Sequence, residues 1–359
     1  MRADPQTTVQ QLLERLVADG VERGIQVAAY RRGELIVDCW AGAASAQPGD
    51  LVSGETLMPV FSTTKGIAAT VLHIVVERAK ISYDIPIAEV WREFAAHGKG
   101  AITLRQALGH TAGIPQMPTG LGYRELCDWD FMCTAVAESK PWSAAGSRIE
   151  YHAMTFGWII GETARRIDGR DFGQLVRDEI CRPLGVNSLF VGLPEGEAKN
   201  VATLEEAAPE IPAIDETKPQ AVPSFLFPLH AAMNRADVRR ACVPATNGIM
   251  NARAIAAHYA ALLPSGLAGV RLLPEARVRI VATPQSQHLA DGGKWGLGYQ
   301  LGGDPESFYP ASRAAFGHGG YGGSIGVADP ELELAIGITK NRFNGDATVR
   351  KIIAAIRQT

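Results

Sequence analysis

Just after Asp4-Pro5, the apolar residues Val9, Leu12, Leu13, Leu16 and Val17 recur at helical spacing, with Asp as an N-cap and Pro at the first helical position. The chain therefore opens with an amphipathic helix. Within residues 25–40, two β-rich runs flank Arg32-Gly33 and predict an antiparallel hairpin. A second hairpin is written near the other end, where residues 324–328 and 332–339 flank Asp329-Pro330. The final stretch, capped by Asp346, sets Val349, Ile352, Ile353 and Ile356 on one helical face. Both ends thus predict helices packed on an antiparallel sheet.

Between the ends, helical patterns dominate: residues 103–110, 156–166 and 171–180, the last expected to stop at Arg182-Pro183-Leu184-Gly185. The organisation this predicts is α+β. An antiparallel sheet flanked by helices is built from both chain ends, over residues 1–85 and 240–359, with an inserted, mostly helical domain over 86–239. Residues 194–223 hold five prolines and seven acidic residues, too irregular for a core element, and predict a solvated loop or a wall over a cleft. No fixed-period repeat or low-complexity tract interrupts the pattern.

Composition narrows the classes of function. The 359 residues are 46% hydrophobic, enough for about two packed domains, and 20% charged with a formal charge of −3. Without a basic excess there is no footprint for a phosphate backbone, so no nucleic-acid partner is expected. Cys39, Cys127, Cys133, Cys181 and Cys242 are odd in number, scattered, and contain no Cys-x-x-Cys pair, which points away from a disulfide framework and from zinc. The histidines show no His-x-x-x-His spacing, so no metal and no cofactor is expected. Residues 1–6 lack the apolar core of a secretory signal and no window holds 18 consecutive apolar residues, so a soluble cytoplasmic protein without a membrane span is expected.

Three segments carry candidate chemistry. In Phe61-Ser62-Thr63-Thr64-Lys65-Gly66, ahead of an apolar helix through Ile67, Val71, Leu72, Val75 and Val76, Ser62 and Lys65 stand one turn apart on the same face. Lysine becomes a base near pH 7 only when neutral, and desolvation and the positive helix terminus both favour the free amine. With 14 serines and 9 lysines, about 0.35 such spacings arise by chance, so on spacing alone an N-cap serine beside a solvated lysine is an equal alternative. Glu150-Tyr151-His152-Ala153, before the helix near Phe156, is the second segment; by itself Tyr151 reads more readily as an interface filler with a bonded hydroxyl than as a catalytic group.

The third segment is the glycine run from Phe316 to Gly326. Gly317, Gly319 and Gly322 fit a dinucleotide fingerprint, and Gly322, Ser324 and Gly326 a nucleophile elbow, but both motifs need a helix to follow and here a hairpin follows. Ser324 is therefore a decoy. Such a run suits an edge strand approached closely by a ligand, with amides available to an oxyanion and His318 facing a cleft or, alternatively, the core.

These three segments, in this order and in a chain of this length, resemble the serine β-lactamase/penicillin-binding-protein superfamily, and most closely its class C-like branch, the family VIII carboxylesterases. Ser62-Thr63-Thr64-Lys65-Gly66 is similar to the family's first motif, Leu108-Gly109-His110-Thr111-Ala112-Gly113 to its Leu-x-x-His-Thr-Ser-Gly stretch, and Tyr151-His152-Ala153 to Tyr-x-Asn. Trp295-Gly296-Leu297-Gly298-Tyr299 resembles its Tyr-Gly-Leu-Gly-Trp strand, and His318-Gly319-Gly320 stands where lactamases have Lys-Thr-Gly. The likeness spans residues 7–355. It implies a β-lactamase-like fold, Ser62 as nucleophile, Lys65 and Tyr151 sharing the general acid/base work, and an oxyanion hole from the Ser62 and Tyr321 amides. His152, His318, Gly319 and Gly320 would contact substrate.

Two departures bear on substrate. Ala153 replaces the Asn that in lactamases holds the acylamino side chain, and His318 replaces the Lys that binds the lactam carboxylate. The expected activity is hydrolysis of small-molecule, short-chain carboxylic esters through a Ser62 acyl-enzyme. An acyltransferase, an amidase or peptidase, a β-lactamase, or a catalytically silent binding protein on the same scaffold are the alternatives. No oligomeric state is implied.

Overall fold

The two hairpins meet in one sheet. In the computed structural model, which describes residues 4–206, 215, 217–290, 294–305, 307–344 and 347–358, Gly24–Arg31 pairs antiparallel with Glu34–Gly42 on one side and with Leu334–Lys340 on the other. Ile325–Asp329, Phe316–Gly319 and Gln300–Leu301 extend the sheet to six antiparallel strands. Strands from the two chain ends therefore sit side by side, as expected of an α+β fold closed by its termini.

Alternation along the strands sorts two faces. Val27, Ala29, Val327, Ile336 and Ile338 are buried beneath the helices Pro5–Ala18 and Ala347–Gln358. Asp4 caps the first by accepting from the Thr7 amide, and Val349, Ile352, Ile353 and Ile356 of the second are all buried. The Asp346 cap lies outside the described residues. Ala28 faces the other way, against the helix Ala252–Ala260. Glycines permit that approach: a Cβ at Gly337 would stand 2.2 Å from the Ala252 carbonyl oxygen, and one at Gly326 would stand 2.2 Å from the Tyr259 ring.

Beyond this layer the helix Thr64–Ala79 runs through the largest core and packs on Thr155–Asp168. Twelve of its 16 residues are buried, so it is enclosed on every side rather than amphipathic. From 86 to 239 the described residues are mostly helices and turns, with Leu189–Val191 and Glu205–Glu206 as their strands. Among the described residues, no helix is long and apolar enough to cross a membrane.

Two local expectations are corrected. The helix after Asp171 runs beyond Ile180 before it ends within the expected Arg182-Pro183-Leu184-Gly185 stop: Phe172–Val176 passes into a π turn at Arg177–Cys181 and on through Arg182–Leu184. Proline lacks an amide and crowds the carbonyl four residues back; the wider π turn, with the Arg182 amide donating to the Arg177 carbonyl, accommodates both effects. Gly185, left-handed at φ 63°, ends the helix. The acidic stretch is also not wholly solvated. Ala202 and Leu204 are buried, and Glu205–Glu206 pairs in parallel with Arg342–Phe343; residues 207–214 and 216 lie outside the described residues.

Candidate active site

The turn before the central helix is held in an unusual backbone conformation. Phe61 has φ 47°, a left-handed value uncommon for a bulky residue, and is 3% exposed. Packing fixes it: its ring lies edge-on to Phe343 at 5.3 Å and 5.6 Å from Tyr321. The Val60 amide donates to Gly248, and the Thr64 hydroxyl accepts from the Gly248 amide at 2.8 Å. The chain then winds into the helix through Lys65 N–H to Ser62 C=O at 2.9 Å, which sets the two side chains on one face. Lys65 Nζ is 3.1 Å from Ser62 Oγ.

Lys65 is fully buried, and burial pushes its pKa well below the usual lysine value. Its other partners are two backbone carbonyls, Ala153 at 2.7 Å and Ala245 at 3.0 Å. A neutral amine has two N–H donors and one lone pair. When Lys65 is neutral and its two donors are kept by the carbonyls, the lone pair can accept from the Ser62 hydroxyl, the reverse of the Nζ-to-Oγ donation that the charged amine makes. Tyr151 completes the group, its ring centroid 4.8 Å from Lys65 Nζ and stacked on Trp295 at 5.5 Å. Although 36% of Tyr151 is exposed, burial around its hydroxyl raises its pKa, and a hydrogen bond with Ser62 opposes that rise.

The glycine run lies directly against this turn. A Cβ at Gly320 would stand 2.1 Å from the Val60 carbonyl oxygen, 2.3 Å from Ser324 Oγ and 2.9 Å from Thr63 Oγ1. Only glycine allows that approach. Gly320→Ala is accordingly expected to push the strand off the Ser62 turn, lowering turnover and costing about 1–3 kcal/mol of stability. Thermal unfolding and kcat check this together, and an alanine variant unchanged in both would contradict the packing described.

The structure separates the remaining sequence candidates. Ser324 is buried, with its hydroxyl bonded to the Val60 carbonyl at 2.7 Å and to Thr63 Oγ1 at 3.1 Å; it fastens the glycine loop to the Ser62 turn. His318 is buried beside Tyr151 and Trp295, and burial lowers its pKa to about 3, so it is neutral where Lys would be charged. His152 does not face a substrate. It is fully buried, its Nδ1 donates to Glu150 C=O at 2.5 Å and its Nε2 accepts from Ile114 N–H at 3.1 Å, so it pins two loops together. The Gly319 amide is taken by Gln300 Oε1 and the Gly320 amide by Ser324 C=O. Among the described residues, the Ser62 amide has no backbone acceptor.

Several contributors went unread in the sequence. His110, with φ 59°, packs its ring 4.9 Å from Tyr151 and 4.5 Å from Trp295; its position inside Leu-Gly-His-Thr-Ala-Gly was the available signal. Glu206 accepts from the Tyr321 hydroxyl and lies 3.1 Å from His230 Nδ1, orienting Tyr321 from the acidic stretch. Among the described residues, no three His, Cys, Asp or Glu side chains converge in a group that could hold a metal ion.

The chain has relatives over nearly its whole length. The beta-lactamase family model matches residues 9–359. The esterase/beta-lactamase LipL of Mycobacterium tuberculosis is 33% identical over 339 residues, covering 89% of this chain and 77% of the relative. Among solved structures, a family VIII carboxylesterase superposes with a TM-score of 0.88 at 31% identity, covering 100% of this chain and 99% of its own. A penicillin-binding protein homolog from Caulobacter crescentus gives a TM-score of 0.86 at 33% identity, with the same coverage. A family match over residues 9–359, with identity and shape that persist across nearly the whole of this chain, makes it a member of the beta-lactamase family, a serine hydrolase on that fold.

Proposed function

We propose that the protein is a carboxylesterase that hydrolyses short-chain esters through a Ser62 acyl-enzyme. The observation that carries the proposal is the placement of Lys65, whose buried Nζ is held by two backbone carbonyls 3.1 Å from Ser62 Oγ. The Lys65–Tyr151 pair takes the proton as Ser62 Oγ attacks the ester carbon. The negative charge on the former carbonyl oxygen is met by the Ser62 and Tyr321 amides. Collapse breaks the bond to the alcohol, which leaves with the proton from the pair. Water then attacks the acyl-enzyme, the pair again accepting and returning a proton, and the acid is released.

Substrate class follows from what the site lacks. A phenoxide leaves with little protonation and an alcohol takes its proton from the pair as its bond breaks, whereas the more basic amide nitrogen must be protonated as it departs and held where the acid can reach it. Ala153 offers no side-chain amide and His318 no charge at neutral pH. Each missing polar or charged anchor is worth about 1.5–3 kcal/mol, so two lower β-lactam efficiency by about 10²- to 10⁴-fold relative to a lactamase. Resemblance to a family VIII carboxylesterase and to an esterase/beta-lactamase supports the same class.

The test is a screen of p-nitrophenyl esters of graded chain length beside a chromogenic cephalosporin. The expected kcat/KM for p-nitrophenyl acetate or butyrate exceeds that for the cephalosporin. Equal or higher cephalosporin efficiency would contradict the esterase proposal. A cytoplasmic location belongs to the same proposal, supported by five free cysteines, each with a thiol pKa raised chiefly by burial.

A further inference from the structure

The edge of the sheet beside Ser62 is built like a docking strand, yet its backbone groups are already occupied. The outermost strand, Gln300–Leu301, pairs with Gly317 and Phe316 and goes no further. Past it, the strand carrying His318 and Gly319 would present an open edge, the feature to which an extended peptide adds as a further strand. Alternation of the ladder directs successive residues to opposite sides. The Gly320 amide turns inward to the Ser324 carbonyl, and the Gly320 carbonyl accepts from Gly323. The Gly319 amide and carbonyl therefore turn to the outer edge, the side on which Gln300 lies.

Both outward groups are capped by side chains. Gln300 Oε1 accepts from the Gly319 amide at 3.1 Å, and His318 Nδ1 donates to the Gly319 carbonyl at 2.7 Å. The partner of His318 is a carbonyl, so Nδ1 carries the proton, consistent with a neutral imidazole. The glutamine cap is held in place by its own backbone, which pairs with Gly317 two residues away.

We propose that Gln300, together with His318, is a specificity-determining cap that closes this edge to substrates that bind by strand addition, such as peptides and N-acylamino acyl compounds. The proposal rests on Ser62 being the nucleophile. An acylamino substrate laid along Gly319 must break both cap bonds and leave the Gln300 amide and the His318 N–H to find other partners. A simple alkyl ester makes no demand on the edge and reaches Ser62 with the cap closed. The cap thus selects compact esters independently of the missing Asn and Lys anchors.

The experiment compares two length-matched activated esters, p-nitrophenyl N-acetylglycinate and p-nitrophenyl pentanoate, and reads the ratio of their kcat/KM values. The ratio is expected to rise about three- to tenfold in Gln300→Ala, the worth of one uncovered hydrogen bond. In Gln300→Glu it is expected to stay at the wild-type value, because a carboxylate oxygen still accepts from the Gly319 amide. Gln300→Ser removes the same reach and serves if the alanine variant does not fold. A ratio within twofold of wild type in the alanine or serine variant, or an equal rise in the glutamate variant, would overturn the cap. Each hydrolysis is repeated in a Ser62→Ala background. Hydrolysis that survives there counts against the nucleophile, whereas an unmoved ratio with Ser62-dependent hydrolysis counts against the cap alone.

Discussion

Ser62→Ala will lower ester hydrolysis by about 10⁴- to 10⁶-fold, as expected when the attacking oxygen itself is removed. Ser324→Ala will not. The contrast follows from geometry rather than from the motif around either serine. Ser62 Oγ is 3.1 Å from a buried amine whose pKa burial lowers, whereas Ser324 Oγ is committed to the Val60 carbonyl and to Thr63. Loss of the Ser324 hydroxyl removes a fastening worth about 0.5–1.5 kcal/mol, so the expected effect is lower stability and at most about tenfold lower turnover. Steady-state rates on p-nitrophenyl butyrate, paired with thermal unfolding of each variant, separate the two serines. A Ser324→Ala variant that is folded but as dead as Ser62→Ala would reverse the assignment.

Lys65→Ala and Tyr151→Phe will each lower turnover by about 10²- to 10⁴-fold, the range of general acid/base assistance. Their effects will not add, because Lys65 and Tyr151 both meet Ser62 and handle one proton. A double variant much slower than the worse single one would show that they serve separate steps. The pH profile gives an independent check. Lys65 acts when deprotonated, so activity is gained as pH rises through the apparent pKa of the pair. Burial of Lys65 places that acid limb well below 10.5. Lys65→Ala is expected to abolish the limb; its persistence would assign the titration to another group.

What could be read without coordinates was what the chain encodes locally. The Asp4-Pro5 cap, the turns at Arg32-Gly33 and Asp329-Pro330, and the apolar face of Val349, Ile352, Ile353 and Ile356 each specify an element within a few residues. The family resemblance added the order of the motifs, and the family and its fold stand. What escaped depends on distant or backbone partners. The helix Ala252–Ala260 is buried on nearly every side and rich in alanine, so it shows no apolar stripe to read. The carbonyls of Ala153 and Ala245 that hold Lys65 lie 88 and 180 residues from it, and a carbonyl oxygen leaves no signature in residue type. Glu206 reads as one of the solvated acids of residues 194–223 because its partner Tyr321 lies 115 positions on. The resemblance of Tyr151-His152-Ala153 to Tyr-x-Asn implies a substrate contact for His152, yet the turn directs its ring inward to Glu150 and Ile114.

The central claim is that Ser62 becomes covalently acylated during turnover. Peptide mapping by mass spectrometry after reaction with a fluorophosphonate tests it most directly, since the reagent replaces fluoride with the oxygen of an activated serine. The expected result is a single adduct on the peptide containing Ser62, with esterase activity lost in proportion to labelling. An adduct on Ser324, or full esterase activity in protein labelled at Ser62, would contradict it.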